Sequence, residues 1–344
     1  MTNTGLESTV PRAAPGGGAE ELTQDSRIHT QAARPAEAAA RAFAHSVIGI
    51  DVGGTKIAAG LVDANGSLRE QVERPTPTAS QGELLTALEE VVAALLRLGP
   101  VAAIGIGVPS RVDQVARRVV ASVHIPLEGV DLAARMTERF DLPTAIENDG
   151  NAATVAEWTI GAGRGTADMI MLTLGTGIGG GLVLAGRPFR GALGVGAELG
   201  HMVVDFDGPP CGGTCRGHGH FETLASGSTA DEKAAELGLK DGRALVEAAR
   251  SGDASALSAL TGIGRVLGAG LVTLVNVFNP ELIVIGGGFG AAGDLVLDPA
   301  RAVVAEEALE PGRDSVRIVR AALGPEAGVV GAGLIAFESL GSAA

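Results

Sequence analysis

Two glycine-rich turns, each between two apolar runs typical of strands, constrain the fold of this chain more than any other feature. The first is Asp51–Lys56 (DVGGTK) and the second is Leu174–Gly181 (LGTGIGGG). Gly175, Gly177 and Gly180 fit the pattern G-x-G-x-x-G, but an apolar strand follows them where a Rossmann loop opens a helix. Neither turn is a Walker P-loop. The simpler interpretation is that both are ordinary hairpin turns. Because the two turns occupy corresponding places and each has a threonine, we favour the interpretation that their backbone N–H groups hold phosphate.

The remaining apolar pattern predicts the order β-β-β-α-β-α-β-α twice along the chain. Strands at Val47–Asp51 and Ile57–Val62 surround the first turn, and an amphipathic helix is predicted at Glu83–Leu98. In the second half we predict strands at Met169–Leu174, Gly181–Leu184 and His201–Val204, and helices near 230–250, 254–278, 294–308 and 326–340. Two such α/β units that face each other form a cleft, where a small-molecule site is expected.

Composition excludes several classes of protein. The net charge of the 344 residues is −14, so the chain would repel a phosphate backbone, and we expect no nucleic-acid partner. Only two cysteines occur, which excludes a disulfide scaffold. Residues 1–44 are rich in Ala, Gly, Pro and Glu, which predicts a disordered leader without a signal segment. We expect a cytoplasmic protein with no membrane partner.

A candidate catalytic carboxylate lies in Ile146–Asp149 (IEND), which ends a predicted strand before a helix that starts near Asn151. The simpler interpretation, favoured by spacing alone, is that Asn148 or Asp149 caps that helix. The functional interpretation is an ionised aspartate at the carboxyl end of a strand, facing the cleft. Such a carboxylate can accept a proton from a substrate hydroxyl while that hydroxyl attacks phosphorus.

Histidines and cysteines cluster in a loop rich in Gly and Pro, which favours a zinc site over a disulfide bond. The candidate donors are His201, Cys211, Cys215, His218 and His220. Four protein donors would close the coordination shell, so the zinc would be structural. A metal-pinned loop would hold Glu198 and Glu222 still, and these could accept hydrogen bonds from the hydroxyls of a polyol. The simpler alternative is that both are surface glutamates.

In this order, the motifs resemble the ROK family (repressors, open reading frames and sugar kinases), and within it the bacterial glucokinases. The resemblance covers about residues 45–340. The matching segments are IGIDVGGTKI at 48–57, IGIGVPSRVD at 104–113, IENDGNAA at 146–153, LTLGTGIGGGLV at 172–183, GAELGHMVVD at 196–205 and NPELIVIGGG at 279–288, together with the Cys/His loop and Glu222.

The resemblance implies roles for single residues. Asp149 matches the catalytic base, and the sugar ligands are Asn148, Glu198, His201 and Glu222. The residues that match the ATP site are Asp51, Gly53, Gly54, Thr55, Lys56, Thr176, Gly177, Gly286, Gly287 and Gly288. Among these, Asp51 is expected to act through Mg²⁺. The expected zinc ligands are His201, Cys211, Cys215 and His220.

The resemblance also implies an α/β fold of the two-domain actin/hexokinase-like (ribonuclease H-like) type, with duplicated domains around a cleft. We expect a small domain made of 45–148 and the C-terminal helix 325–344. The large domain is expected at 149–324 and includes the zinc loop at 201–222. The family is usually homodimeric or larger, so a homodimer or homotetramer is expected, with MgATP and a sugar as substrates.

Three departures from the family pattern concern the zinc loop and the sugar site. His220 stands where a third cysteine is common, with His218 as its competitor; Ser110 replaces a common glycine; and Ser122–Pro126 (SVHIP) replaces a Pro-Asn-Leu-Pro run. The sequence thus favours a glucokinase that phosphorylates the C6 hydroxyl. The alternatives are a kinase for fructose, mannose or N-acetylmannosamine, a sugar-sensing repressor that lacks its DNA-binding domain, and an actin-like ATPase.

Overall fold

The computed structural model describes residues 46–341 except 117, 123–124 and 213–214. The predicted leader at 1–44 and the middle of the Ser122–Pro126 segment lie outside the described residues. In the part that is described, the chain forms two five-stranded sheets and a two-stranded hairpin.

The first sheet has the strand order β3-β2-β1-β4-β7. Its strands are β1 (Ser46–Val52), β2 (Lys56–Asp63), β3 (Leu68–Pro75), β4 (Ile104–Val108) and β7 (Thr144–Asn148), and the separate hairpin is formed by β5 (Ser110–Asp113) and β6 (Arg118–Ser122). Strands β1, β4 and β7 are parallel, with Asp51 opposite Gly107 and Val108 opposite Asn148. Their carboxyl ends therefore meet at one edge, which carries Asp51 and Asn148.

The second sheet repeats this order as β10-β9-β8-β11-β12. Its strands are β8 (Met169–Leu174), β9 (Ile178–Leu184), β10 (Arg187–Phe189), β11 (Leu282–Gly286) and β12 (Arg317–Arg320). β8 is antiparallel to β9 and parallel to β11, just as β1 is antiparallel to β2 and parallel to β4. The predicted duplication is thus confirmed at the level of topology.

Two predicted elements of the second half are wrong. The third strand is Arg187–Phe189, because Ala185 and Gly186 adopt positive φ and turn the chain back directly after β9. The segment predicted as a strand at His201–Val204 instead begins at the last residue of a 3₁₀ turn, Leu199–His201. It forms a single β-bridge, from Val203 to His220. The helix predicted near 230–250 is two helices, which are separated by Gly238 at φ +73°.

Ten helices complete the described part of the chain. They are α1 (Gln81–Leu96), α2 (Leu132–Phe140), α3 (Asp149–Thr159), α4 (Phe221–Ala225), α5 (Gly227–Glu236), α6 (Gly242–Arg250), α7 (Ala254–Phe278), α8 (Asp294–Glu307), α9 (Gly312–Ser315) and α10 (Ala327–Gly341). Helix α10 packs on β1 and β4 of the first sheet, α3 packs on β8 and β9 of the second, and the two helices contact each other. The layers therefore run first sheet, α10, α3, second sheet.

Glycines allow this close approach of backbones. A Cβ on Gly105 of β4 would lie 1.8 Å from the carbonyl oxygen of Ala332, and a Cβ on Gly331 would lie 1.8 Å from that of Ala152. Residues of α3 and α10 share one hydrophobic cluster with β8 and β11 of the second sheet. Helix α10 thus joins the two halves of the described structure.

The carboxyl-terminal end of α3 is also fixed by polar contacts. Glu157 is fully buried, and its carboxylate accepts hydrogen bonds from the backbone N–H groups of Ala162 (2.8 Å) and Leu323 (2.7 Å). The indole N–H of Trp158 donates to the carbonyl of Thr166 at 2.8 Å. The bond to Leu323 ties α3 to the segment that leads into α10, and the other two bonds tie it to the loop that follows it.

Helix α7 is long and apolar enough to cross a membrane by length and composition alone. Half of its most apolar window is buried inside the fold, where Leu260, Leu267 and Leu271 belong to the core of the second half. The core helix of a protein can be equally long and apolar, so the length and composition of α7 are weak evidence for a membrane span.

Candidate active site

The junction between β7 and α3 carries the predicted catalytic base. The side chain of Asn148 accepts a hydrogen bond from the N–H of Asn151 at 3.1 Å, so Asn148 caps α3. This agrees with the simpler interpretation, in which either Asn148 or Asp149 is the capping residue. Asp149 is the first residue of the helix, and its Oδ1 accepts from the N–H of Gly150 at 2.8 Å. Gly150 packs on the backbone of Gly180 in β9, so the junction lies against the second sheet.

Three carboxylates from separate parts of the chain interact at this junction. Burial, together with the negative charges of Asp51 and Glu198, raises the pKa of Asp149 to about 7, although the Gly150 N–H opposes the shift. Burial raises the pKa of Asp51 to about 6 against the lowering effect of Lys56. Burial also raises the pKa of Glu198, opposed by His201 and Arg111. A proton acceptor with a pKa near neutrality is suited to general-base chemistry.

The first glycine turn is a tight hairpin with exposed backbone. The N–H of Gly53 donates to the carbonyl of Lys56 at 2.8 Å. Thr76, directly after β3, donates its hydroxyl to the carbonyl of Gly53 (2.7 Å) and its N–H to the carbonyl of Thr55 (3.0 Å). Gly54 and Thr55 are exposed. The ammonium group of Lys56 pairs with Glu73 at 2.5 Å on the surface.

The second glycine turn is held by the start of α5. The N–H of Gly227 donates to the carbonyl of Gly175 (2.8 Å), and the hydroxyl of Ser228 donates to the backbone carbonyl of Thr176 (2.8 Å). Gly287, at φ +84°, lies against Leu174, where a Cβ would come within 2.4 Å of the Leu174 carbonyl oxygen. The fold therefore brings Gly287 beside Leu174, the first residue of the second glycine turn.

Glu222 connects this turn to the Cys/His loop. Its Oε2 accepts a hydrogen bond from the N–H of Ile178 at 2.8 Å, and a Cβ on Gly177 would lie 2.0 Å from the same oxygen. The glycine at 177 is therefore required for the carboxylate to reach the turn. The interpretation of Glu222 as a plain surface residue does not account for this contact.

The four predicted zinc ligands form one cluster. One donor atom from each of His201, Cys211, Cys215 and His220 lies within 4.8 Å of all the others. Nδ1 of His201 is 3.1 Å from Nδ1 of His220 and 3.7 Å from Sγ of Cys211. Donors of a tetrahedral zinc site are about 3.3 Å (N to N) and about 3.6 Å (S to N) apart. The separations in this cluster suit zinc, and among the described residues His218 is not part of the group.

The family model for the "ROK family" matches residues 47–339. The chain belongs to the ROK family. A glucokinase of Streptomyces coelicolor is 35% identical over 311 residues, which cover 85% of this chain and 97% of that protein. A xylose repressor of Bacillus spizizenii is 29% identical and is matched over 77% of its length.

Among solved ROK structures, the chain is similar to a glucokinase from Streptomyces griseus in complex with glucose and AMPPNP. The two are 36% identical, the match covers 85% of this chain and 99% of that one, and the TM-score is 0.75. The expectation of an actin/hexokinase-like fold, drawn from the resemblance, is confirmed by this match.

Two of the departures from the ROK pattern contact each other. The hydroxyl of Ser110 on β5 donates to that of Ser122 on β6 at 2.9 Å, and Ser122 in turn donates to the carbonyl of Ile125 at 2.5 Å. The carbonyl oxygen of Ser110 lies 3.4 Å from Nδ2 of the Asn148 side chain. The departing residues thus lie next to a predicted sugar ligand.

Sequence reasoning missed the ion pair between Glu147 and Arg190. Glu147 is almost fully buried, and its Oε2 is 2.5 Å from Nε of Arg190, the residue that follows β10. The available signal was a charged residue inside a buried strand, directly before Asn148 and Asp149. Its partner Arg190 lies 43 positions away, and no local sequence pattern indicates that the two residues pair.

Proposed function

We propose that this chain is an ATP-dependent glucokinase, which transfers the γ-phosphoryl group of MgATP to the C6 hydroxyl of glucose. The observation that carries the proposal is the position of Asp149. It interacts with Asp51, which opens the first glycine turn, and its neighbour Gly150 packs on the strand that follows the second turn. The chain matches nearly the full length of two ROK glucokinases, and this similarity supports the same reaction.

In this mechanism Asp149 accepts the proton of the C6 hydroxyl as the oxygen attacks the γ-phosphorus. The bond between that phosphorus and the β–γ bridging oxygen breaks, and ADP leaves with the electron pair. The backbone N–H groups of the two glycine turns, with Thr55 and Thr176, hold the phosphates. Mg²⁺ would neutralise the charge on the β- and γ-oxygens, and Asp51 would belong to its ligand sphere. No covalent enzyme intermediate is needed.

His201 links the proposed sugar site with the proposed zinc site through its two ring nitrogens. Nδ1 faces Cys211 and His220, whereas Nε2 lies 3.9 Å from Oε2 of Glu198. We assign Nδ1 to zinc and Nε2 to the sugar side. The carboxylates of Glu198 and Glu222 would accept hydrogen bonds from the ring hydroxyls, and the side-chain amide of Asn148 and Nε2 of His201 would also bond to them.

The zinc would be structural, with His201, Cys211, Cys215 and His220 as its four ligands. Bound there, the ion would fix a loop that is rich in Gly and Pro. The proposal also includes the division into a small domain (45–148 and 325–344) and a large domain (149–324). A homodimer or homotetramer in the cytoplasm completes it.

The test is phosphorylation of a panel of sugars by the purified full-length chain. Glucose, fructose, mannose and N-acetylmannosamine are each offered with ATP or polyphosphate, and ADP formation and sugar phosphate are measured. We expect the highest kcat/KM for glucose with ATP. Preference for another sugar would assign a different kinase, and sugar-independent ATP turnover would assign an ATPase. Binding to sugar-operon DNA in a gel shift, without turnover, would assign a repressor.

A further inference from the structure

The buried ion pair between Glu147 and Arg190 joins the base-bearing junction to the second half of the molecule. Oε1 of Glu147 accepts from the N–H of Asn148 (3.0 Å) and from Nδ2 of Asn151 (3.2 Å), so it holds the residues on both sides of Asp149. Oε2 takes the Arg190 guanidinium at 2.5 Å. The side chain of Glu147 is 2% exposed and that of Arg190 28%. A buried carboxylate in this position is stable only with such partners.

Arg190 also begins the loop that leads to the other wall of the site. Its carbonyl accepts from the N–H of Gly196 at 2.9 Å, which closes residues 190–196 into a loop directly before Glu198 and His201. A second polar link lies alongside, because Gln114 donates its N–H to the carbonyl of Leu193 (3.0 Å) and its Nε2 to that of Ile146 (2.9 Å). The 190–196 loop is thus docked on the residues that precede Asp149.

We propose that the Glu147–Arg190 pair is a positioning device, which sets the distance between Asp149 and the sugar-contacting segment at Glu198–His201. This inference rests on the proposed function, since it gives the pair its role through Asp149. Neither residue is assigned a contact with the substrate. A misplacement of about 1 Å at such a site lowers turnover by about a hundredfold.

The first experiment is a double-mutant cycle with Glu147→Gln and Asp149→Asn. Glu147→Gln keeps the size and an acceptor oxygen but removes the charge that Arg190 requires. We expect kcat for sugar phosphorylation to fall tenfold to a hundredfold, with KM for ATP unchanged. In the Asp149→Asn background, Glu147→Gln is expected to cause no further loss. Wild-type kcat with only a lowered melting temperature, or a fully additive loss, would overturn the proposal.

The matched control is Glu338→Gln. Glu338 also faces Arg190, at 3.4 Å, but its side chain is 45% exposed and it belongs to α10, not to β7 or α3, so turnover should stay at the wild-type level. If Asp149→Asn itself turns over like the wild type, the proposed function fails. If Asp149→Asn is inactive and Glu147→Gln is fully active, only the positioning role fails.

A second variant covers the case in which Glu147→Gln does not fold. The ion pair borders a cavity of about 510 Å³ whose lining includes Glu147, Arg190 and Glu338. Arg190→Ala enlarges this space, so millimolar guanidinium chloride should enter, pair with Glu147 and restore a measurable part of kcat. Sodium chloride at equal ionic strength should not. Restoration by both salts, or by neither in a folded variant, would contradict a specific positioning role for the guanidinium.

Discussion

The pKa of Asp149 is the residue-scale property on which the chemistry depends. Burial raises it most, and the negative charges of Asp51 and Glu198 raise it further, to about 7. A carboxyl group in such surroundings is protonated at mildly acidic pH, where an exposed aspartate is still ionised. The fold therefore makes the protonation of Asp149, the proposed base, depend on pH in the physiological range.

We expect kcat/KM for the sugar to fall as the pH drops below about 7, by about tenfold per unit, because protonated Asp149 cannot accept the hydroxyl proton. Above this pKa the carboxylate is ionised, and the rate should level off. Asp149→Asn should fold normally and lose at least about a hundredfold in turnover. The measurement is a pH–rate profile of the free enzyme. A flat profile between pH 5 and 8, or a variant with near-wild-type turnover, would remove Asp149 from the mechanism.

An exposed carboxylate provides the control. Glu128 is exposed, so Glu128→Gln removes one negative charge without touching the junction. Its profile should follow that of the wild type. A displaced pH profile in Glu128→Gln would show that net charge, and not the junction, sets the pH dependence.

At the scale of single elements, the Cys/His loop has little apolar packing of its own. Cys211 and His220 are buried, but Val203 and Phe206 in the same segment are 58% and 86% exposed. A segment with so little core of its own needs another source of order, which the proposed zinc ion would supply. The loop would then carry Glu222 and His201 to their places.

We expect about one zinc ion per purified chain, and its loss in His220→Ala but not in His218→Ala. The reason is geometric, because Nδ1 of His220 lies 3.1 Å from Nδ1 of His201 and 3.7 Å from Sγ of Cys215. Elemental analysis of both variants measures the metal, and circular dichroism checks their folding. Metal retained in His220→Ala and lost in His218→Ala would reverse the assignment.

Local elements could be predicted from the sequence, whereas contacts between distant elements could not. Helix α7 matches its prediction because a capping Asp253 precedes a long apolar run. Strand β10 was missed because it has only three residues and includes Pro188. The motifs brought Asp51, Asp149 and Glu198 forward as candidates. Asp51 and Asp149 lie at one edge of the first sheet, whereas the approach of Glu198 depends on how the two halves face each other. No local pattern encodes that arrangement, nor the partner of Glu147.

At the scale of the whole molecule, the two sheets are coupled through the crossing of α3 and α10. Asp149 begins α3, and α10 rests on the sheet that carries Asp51. The way in which the first sheet faces the second is therefore set by helix packing in the middle of the molecule. A change far from the cleft can reach the reaction by this route.

Gly331→Ala tests that coupling. Its Cβ would lie 1.8 Å from the Ala152 carbonyl oxygen, so α10 must move away from α3. We expect a loss of about 3 kcal/mol in the free energy of unfolding, at the upper end for overpacking, together with lower turnover. Urea unfolding and sugar kinetics measure the two effects.

Gly82→Ala is the matched control. No atom lies within 4 Å of the Cβ that this substitution adds near the start of α1. It should leave turnover unchanged and raise stability by at most about 1 kcal/mol. Equal unfolding curves for the two variants would mean that the helices do not touch as tightly as the fold requires.

The bond between Trp158 and Thr166 has a practical consequence. The chain contains one tryptophan and no tyrosine, so its near-ultraviolet emission comes from a single indole. That chromophore sits at the far end of the helix that Asp149 begins, fastened to the loop beyond it. Titration of the unlabelled protein with glucose or nucleotide can therefore report optically, from one defined position, how this helix responds to each substrate.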